Sequence, residues 1–95
     1  MRAAVFHGVE DSRLEDVPKP ECPRDGLLVE VKACGICGTD ARTYFNGDDR
    51  AKPPWILGHE MTGIVEQIGD EAAKDTDVQV GQRIHVISTL SCGVC

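Results

Sequence analysis

The sequence lacks both a hydrophobic run long enough to cross a membrane and an excess of positive charge. No stretch approaches the roughly 20 consecutive apolar residues that a membrane span requires. Ten Lys and Arg against 16 Asp and Glu give a formal net charge of −6, and an acidic surface is poorly suited to nucleic acid or anionic lipid. We therefore expect neither nucleic acid nor a membrane as a main partner.

A secretion signal is also missing, because the N-terminal segment 1–7 has too short an apolar run for the core of a signal peptide. We therefore expect a cytoplasmic location. The cysteines number five, and an odd count without a signal peptide does not suggest a disulfide framework. They indicate metal ligands, a nucleophile or buried thiols, and their positions have to decide among these.

The 95 residues suffice for one small domain. A short helix is predicted over residues 40–46, with Thr39 or Asp40 as its N-cap and Gly47 as its stop. The chain stops at Cys95 without a closing element, so we expect a fragment of a longer protein. Alternating or apolar segments between turn-forming residues predict an all-β barrel or sandwich. The predicted strands cover residues 2–7, 14–17, 27–33, 61–68 and 78–87, the last interrupted at Gly81.

Two pairs of cysteines have the spacing that lets two thiolates meet one zinc ion in a tight turn. They are Cys34 with Cys37 and Cys92 with Cys95. A four-cysteine zinc ribbon is the first hypothesis. However, roughly 15–20 residues separate the pairs of a typical ribbon, whereas most of the chain lies between Cys37 and Cys92. The spacing therefore favours two separate metal sites.

The segment Gly58-His59-Glu60 supplies a further candidate ligand. His59 directly follows an apolar run and this glycine, so we expect it at the edge of a packed region, where its neutral imidazole could join the Cys37 thiolate on zinc. Catalytic zinc typically has three protein ligands and one open position, and Cys37 and His59 would be two of the three. A carboxylate often fixes a ligating imidazole, and Asp40 is the candidate for that role.

Four motifs follow one another along the chain, namely Cys37–Asp40, Gly58–Gly63, Gly69 and Gly81–Ile84. Together they closely resemble the signature of the zinc-type alcohol dehydrogenases of the medium-chain dehydrogenase/reductase family. The central Gly-His-Glu motif, with glycines at set distances, is far more specific than a lone short motif. The resemblance implies a mainly β fold, a partial GroES-like β-barrel with a short helix over residues 1–95, which ends before a Rossmann domain.

The resemblance also implies a role for each matching residue. Cys37 and His59 correspond to catalytic zinc ligands, and Thr39 to the hydroxyl that bonds the substrate alcohol and begins the proton relay. Asp40 corresponds to the acceptor that orients His59, and Glu60 to an acid near the metal. In such a site zinc stabilises the alkoxide of the alcohol, which then gives hydride to a nicotinamide.

The second cysteine pair has a different implied role. Cys92 and Cys95 correspond to the first two of four cysteines of a structural zinc lobe that begins near residue 92. The other two, and the third catalytic ligand, are expected beyond residue 95. The implied cofactors are therefore catalytic and structural zinc and, in the full-length protein, NAD or NADP. The implied partner is a small-molecule alcohol substrate, with the full-length protein a homo-oligomer and the fragment alone inactive.

Two residues depart from the family pattern. Arg42 stands where many members carry the histidine at the outer end of the proton relay, and Gln82 stands where an aspartate is usual. Cys34 corresponds to an unligated position, so we expect a small buried residue there. Two alternatives to a zinc alcohol dehydrogenase stay open: a zinc-free quinone reductase of the same superfamily, and a non-enzymatic β-barrel module that binds a partner or has a structural role. Cys37 with His59 argues against the first, and bound zinc would exclude the second.

Overall fold

The computed structural model describes residues 1–94, which form two compact units. Unit 1 comprises Met1–Lys19 and Gly35–Gly58, and unit 2 comprises Pro20–Cys34 and the chain from His59 on. Within this described part, no helix has the length and apolarity that a membrane crossing would need.

Unit 1 contains a three-stranded sheet in the order β2-β1-β4. Its strands are β1 (Arg2–Gly8), β2 (Asp11–Asp16) and β4 (Trp55–Ile56). Strand β1 is the central strand, and it carries the buried apolar side chains Val5 and Phe6, which are 4 % and 1 % exposed. Both neighbouring strands pair with β1 in antiparallel orientation. Strand β2 is rich in charged residues, which suits an edge strand because charges there discourage pairing with other chains.

The β1–β2 hairpin turns at Glu10, a non-glycine residue with a positive φ of 56°. Such a backbone conformation is uncommon outside glycine and asparagine. Tyr44 stabilises it from both sides: the N–H of Glu10 donates to the carbonyl oxygen of Tyr44 at 2.8 Å, and the Tyr44 hydroxyl donates to the carbonyl oxygen of Glu10 at 3.2 Å. The turn is thereby fixed to the helix that carries Tyr44.

That helix is α1 (Gly38–Asn46). Its buried side includes Thr43, which is 3 % exposed. The helix ends as predicted at Gly47, whose φ of 79° is a left-handed conformation that favours glycine. The N–H of Gly47 donates to the carbonyl oxygen of Thr43 at 2.8 Å and so closes the last turn.

Unit 2 contains a second three-stranded sheet in the order β3-β5-β6. Its strands are β3 (Leu27–Gly35), β5 (Glu60–Ile68) and β6 (Arg83–His85), with β5 and β6 antiparallel. Strand β5 is central and buries Val65, which is 1 % exposed.

Two glycines of unit 2, Gly63 and Gly69, lie against neighbouring backbone. A Cβ atom on Gly63 would lie 2.2 Å from the carbonyl oxygen of Glu30, and one on Gly69 would lie 2.2 Å from that of Arg24. Real Cβ atoms essentially never come this close, so both positions require a residue without a side chain.

The predicted architecture, mainly β with a short helix, is confirmed within residues 1–94. One strand prediction is too long. Within 78–87 only Arg83–His85 is extended in a sheet, because the chain turns at Val80 and Gly81. The predicted interruption at Gly81 is present, with a φ of 91°. The structure also contains two elements that were not predicted, a short 3-10 helix at Ala72–Lys74 and the two-residue β4.

Candidate metal centre

Cys37 lies at the start of α1, where its backbone is extended with φ −87° and ψ 158°. It is therefore the N-cap, and the sequence-based placement of the cap at Thr39 or Asp40 is wrong. The reason is the carboxylate of Asp40, which accepts a hydrogen bond from the Cys37 N–H at 2.9 Å. Because Asp40 accepts this bond as the third residue of the helix, the residue that donates it, Cys37, is the N-cap. The candidate thiolate ligand is thus held by the first turn of a helix.

Thr39 lies in the same first turn and is exposed. The Cys37 thiol donates to the Thr39 hydroxyl oxygen, with 3.7 Å between Sγ and Oγ1. The hydroxyl predicted to bond the substrate alcohol is therefore adjacent to the sulfur predicted to hold the metal. A helix N-terminus also carries partial positive charge from unpaired N–H groups, which favours a negative group such as a thiolate.

His59 and Glu60 lie in unit 2, at the beginning of strand β5. The chain reaches them through Gly58, whose φ of 116° requires glycine. His59 is partly buried, as expected for the edge of a packed region, whereas Glu60 is exposed. A ring nitrogen of His59 and a carboxylate oxygen of Glu60 lie within 4.8 Å of each other. Two potential ligand atoms therefore lie close together at the start of one strand.

The remaining cysteines have different surroundings. Cys92 is exposed, while its predicted partner Cys95 lies outside the described residues. Cys34 is exposed, so the expectation of a small buried residue is wrong, because β3 is buried only near its beginning and its second half is open to solvent. Cys22 is partly buried in a loop, and its thiol donates weakly to the carbonyl oxygens of Pro23 and Gly26 at 3.6 and 3.7 Å.

The predicted site residues thus fall into two local groups. Cys37, Thr39 and Asp40 share the first turn of α1 in unit 1, and His59 and Glu60 share the start of β5 in unit 2. A thiolate, an imidazole and a carboxylate are the donor types that zinc prefers in proteins. The donor set therefore fits zinc chemically.

One charged cluster in unit 1 was not predicted. Asp48 accepts hydrogen bonds from the Nε and an Nη of Arg50 at 3.1 and 3.0 Å, and from the Arg50 N–H at 2.8 Å. The Arg50 side chain, followed by its N–H, lowers the pKa of the Asp48 carboxyl to about 2. A guanidinium nitrogen of Arg42 lies 3.8 Å from the same carboxylate. The Asp-Asp-Arg sequence in a loop was the available signal, because Asp side chains often bond the N–H two residues on.

The chain matches known proteins along its whole length. Residues 23–95 match the family model described as "Alcohol dehydrogenase GroES-like domain". A sorbitol dehydrogenase of Bombyx mori is 38 % identical over 98 % of this chain and 27 % of its own. An L-threonine 3-dehydrogenase of Bacillus subtilis (strain 168) is 40 % identical over 86 % of this chain and 24 % of its own.

A solved structure shows the same fold. It is that of a "putative zinc-binding dehydrogenase" from Sinorhizobium meliloti 1021 bound to NADP. The TM-score is 0.83, and the identity is 38 % over 99 % of this chain and 26 % of that protein. The chain thus spans about a quarter of the length of the proteins that it matches. The predicted GroES-like fold agrees with these matches.

Proposed function

We propose a function from the premise that this chain belongs to the alcohol dehydrogenase GroES-like domain family, among the zinc-type medium-chain dehydrogenases. The chain is the N-terminal catalytic part of an NAD- or NADP-linked oxidoreductase that oxidises a small alcohol to a carbonyl compound. The relatives' names, for a polyol and for a hydroxy amino acid, favour a small polar alcohol as the substrate. The whole protein is a homo-oligomer, and residues 1–95 alone have no dehydrogenase activity.

One observation carries this proposal: the Thr39 hydroxyl lies 3.7 Å from the Cys37 sulfur. In the proposed site Cys37 and His59 are two of the three protein ligands of a catalytic zinc, with Glu60 nearby. Zinc, when bound, supplies Lewis acidity that lowers the pKa of a hydroxyl group next to it. A hydroxyl beside a ligand sulfur is well placed to meet a substrate that shares the metal.

The chain's own residues bind, orient and move a proton. Thr39 accepts the substrate hydroxyl proton at its Oγ1 and passes its own proton on. Asp40 fixes the position of Cys37 through the Cys37 N–H; in the proposed site it would also accept a hydrogen bond from the His59 ring and so orient that ligand. Arg42 cannot act as an acid or base near neutral pH, because a guanidinium stays protonated. The proton that leaves Thr39 therefore passes to water and not to Arg42.

A second zinc site is proposed for the end of the chain. Cys92 and Cys95 provide two of the four thiolates of a structural zinc lobe, since structural zinc is almost always four-coordinate. Two thiolates do not complete such a site, and metal binding is coupled to a completed, folded set of ligands. Residues 1–95 alone therefore bind zinc weakly at both places.

Cobalt titration of residues 1–95 tests the ligand assignment without requiring activity. Co²⁺ occupies zinc sites and gives a thiolate charge-transfer absorption. We expect Cys37→Ser to remove part of this absorption and His59→Ala to weaken metal binding. Cys22→Ser is the matched control, because the Cys22 thiol is partly buried and bonded to loop carbonyls. Metal binding that is the same in all four proteins would contradict the catalytic site.

Activity of the whole protein tests the reaction class. Alcohol-dependent reduction of NAD or NADP, lost when zinc is chelated and restored when it is added back, is the expected result. Quinone reduction that is insensitive to chelation would instead support the zinc-free quinone reductase. Absence of both zinc binding and turnover of any alcohol or quinone would support a non-enzymatic module.

A further inference from the structure

Unit 1 contains a cleft that none of the proposed zinc ligands lines. It lies between the β1–β2 hairpin, at Phe6, Gly8 and Val9, and the loop from Asn46 to Pro53. Its volume is about 680 Å³, within the roughly 300–1,000 Å³ that is usual for small-molecule sites. The size of the cleft therefore suits a small molecule.

The loop wall of this cleft is held in place by Asp48. Its side chain is only 14 % exposed and is bonded to the side chain and N–H of Arg50. At the start of the loop, the left-handed turn at Gly47 is closed onto α1. Walls that are already ordered reduce the entropy that a ligand must overcome on binding. The hydrogen bonds of Asp48 and Gly47 therefore order this loop without help from a ligand.

Two opposite charges on this wall have no partner among residues 1–94. Asp48 and Arg50 bond to each other, but the side chains of Asp49 and Lys52 make no hydrogen bond or ion pair with any of residues 1–94. Both residues line the cleft, together with the apolar Phe6, Val9 and Pro53. The cleft therefore offers one carboxylate, one ammonium group and apolar surface to the same occupant.

We propose that this cleft binds a small zwitterion, an α-amino acid, with the ligand carboxylate at Lys52 and its ammonium group at Asp49. Charge-assisted hydrogen bonds of this kind are roughly twice as strong as neutral ones. A ligand that carries both charges gains from both groups, whereas a ligand with one charge leaves the other group unused. The ligand side chain lies against the exposed apolar residues Val9 and Pro53.

The test is an NMR titration of ¹⁵N-labelled residues 1–95 with L-alanine in the presence of EDTA. Chelation removes any contribution from the proposed zinc sites, so failure of this proposal and failure of the proposed function are distinguishable. We expect saturable shifts of the amide signals from Gly47 to Lys52. Propionate and ethylamine, which each lack one charge, should bind about tenfold more weakly, because one charge-assisted hydrogen bond is lost.

Three variants assign the two charges. Lys52→Gln should weaken L-alanine and propionate about tenfold and leave ethylamine unchanged, and Asp49→Asn should do the reverse for the two single-charge probes. Lys32→Gln is the matched control, because Lys32 is an exposed lysine of β3 that pairs with Glu30. Dispersed amide spectra confirm that each variant is folded. Equal binding of L-alanine and the neutral polyol D-sorbitol, or variants that bind L-alanine like the unaltered chain, would overturn the proposal.

Discussion

Replacing Gly63 by Ala should destabilise unit 2 strongly, because β3 leaves no room for a side chain. The added Cβ would lie 2.2 Å from the Glu30 carbonyl oxygen and 2.8 Å from a methyl carbon of Val29. Carbon–oxygen contacts between strands are ordinarily about 3.3–3.6 Å, so β5 and β3 would have to separate by about 1 Å. Because the obstacle is backbone, it cannot swing away as the end of a flexible side chain would.

The expected cost is about 3 kcal/mol. Overpacking costs roughly 1–3 kcal/mol, and weakened hydrogen bonds between the two strands add about 1 kcal/mol each. With a urea dependence of about 1–3 kcal/mol per molar for a small protein, the unfolding midpoint should fall by roughly 1–3 M. Far-UV circular dichroism measures this midpoint. Amide hydrogen exchange locates the effect, since the protection of Val65 in β5 should fall while that of Phe6 in β1 should not.

Gly38→Ala is the matched control. A Cβ on Gly38 would meet nothing within 4 Å, and its φ is not in the left-handed range. This change should be neutral or stabilise the chain by about 0.5 kcal/mol, because alanine has less backbone freedom to lose on folding. An unfolding midpoint of the Gly63→Ala protein equal to that of the Gly38→Ala protein would refute the close approach of β3 and β5.

Three further predictions concern α1 and the loop after it. Asp40→Ala should cost about 1 kcal/mol in urea unfolding, because it removes the acceptor of the Cys37 N–H, and an unchanged midpoint would contradict this capping role. Gly47→Ala should cost about 1 kcal/mol, since the φ of 79° is unfavourable for alanine; a gain in stability would show that the loop can adopt another turn. The depressed pKa of Asp48, about 2 against an ordinary 3.8, should contribute stability above pH 4 that is lost as the pH falls toward 2. Carbon-detected NMR titration of the carboxylate measures that pKa directly, and an Arg50→Gln variant in which it stays near 2 would rule out Arg50 as the cause.

The sequence predicts well the strands that bury an apolar side chain or that need a glycine where another strand packs closely. β1 and β5 carry buried residues at Phe6 and Val65, and the glycine at position 63 marks the close approach of another strand. Pattern reading failed over 78–87 because an apolar residue such as Val80, which is 62 % exposed, contributes to a strand pattern even where the backbone turns. Only the conformation of Gly81 separates the turn from β6, and glycine can adopt many conformations.

The candidate site could be predicted residue by residue but not in its local geometry. The motifs identify Cys37, Thr39 and Asp40, yet the N-cap was predicted at Thr39 or Asp40, since both are good capping residues and cysteine is not among the preferred ones. The Asp48 cluster was missed for a different reason. Charged residues in loops usually face solvent without fixed partners. The Asp-Asp-Arg sequence indicates a bond from the Arg50 N–H, but no sequence pattern shows that the same carboxylate will also bond to the Arg50 side chain.

The carboxylate of Asp40 helps the protein itself to hold the candidate metal ligand Cys37 in position. Two roles were weighed for this residue, a helix cap and a partner for His59, and the structure shows its bond to the Cys37 N–H. The two roles do not compete, because a carboxylate has two oxygens and about four lone-pair sites. The bond to Cys37 fixes the backbone of the residue that carries the thiol, in the first turn of a helix whose dipole favours negative charge. Asp40 therefore helps to hold the Cys37 thiol in place independently of any bond to His59. For this reason a helix N-terminus with an acid at its third residue suits a thiolate ligand.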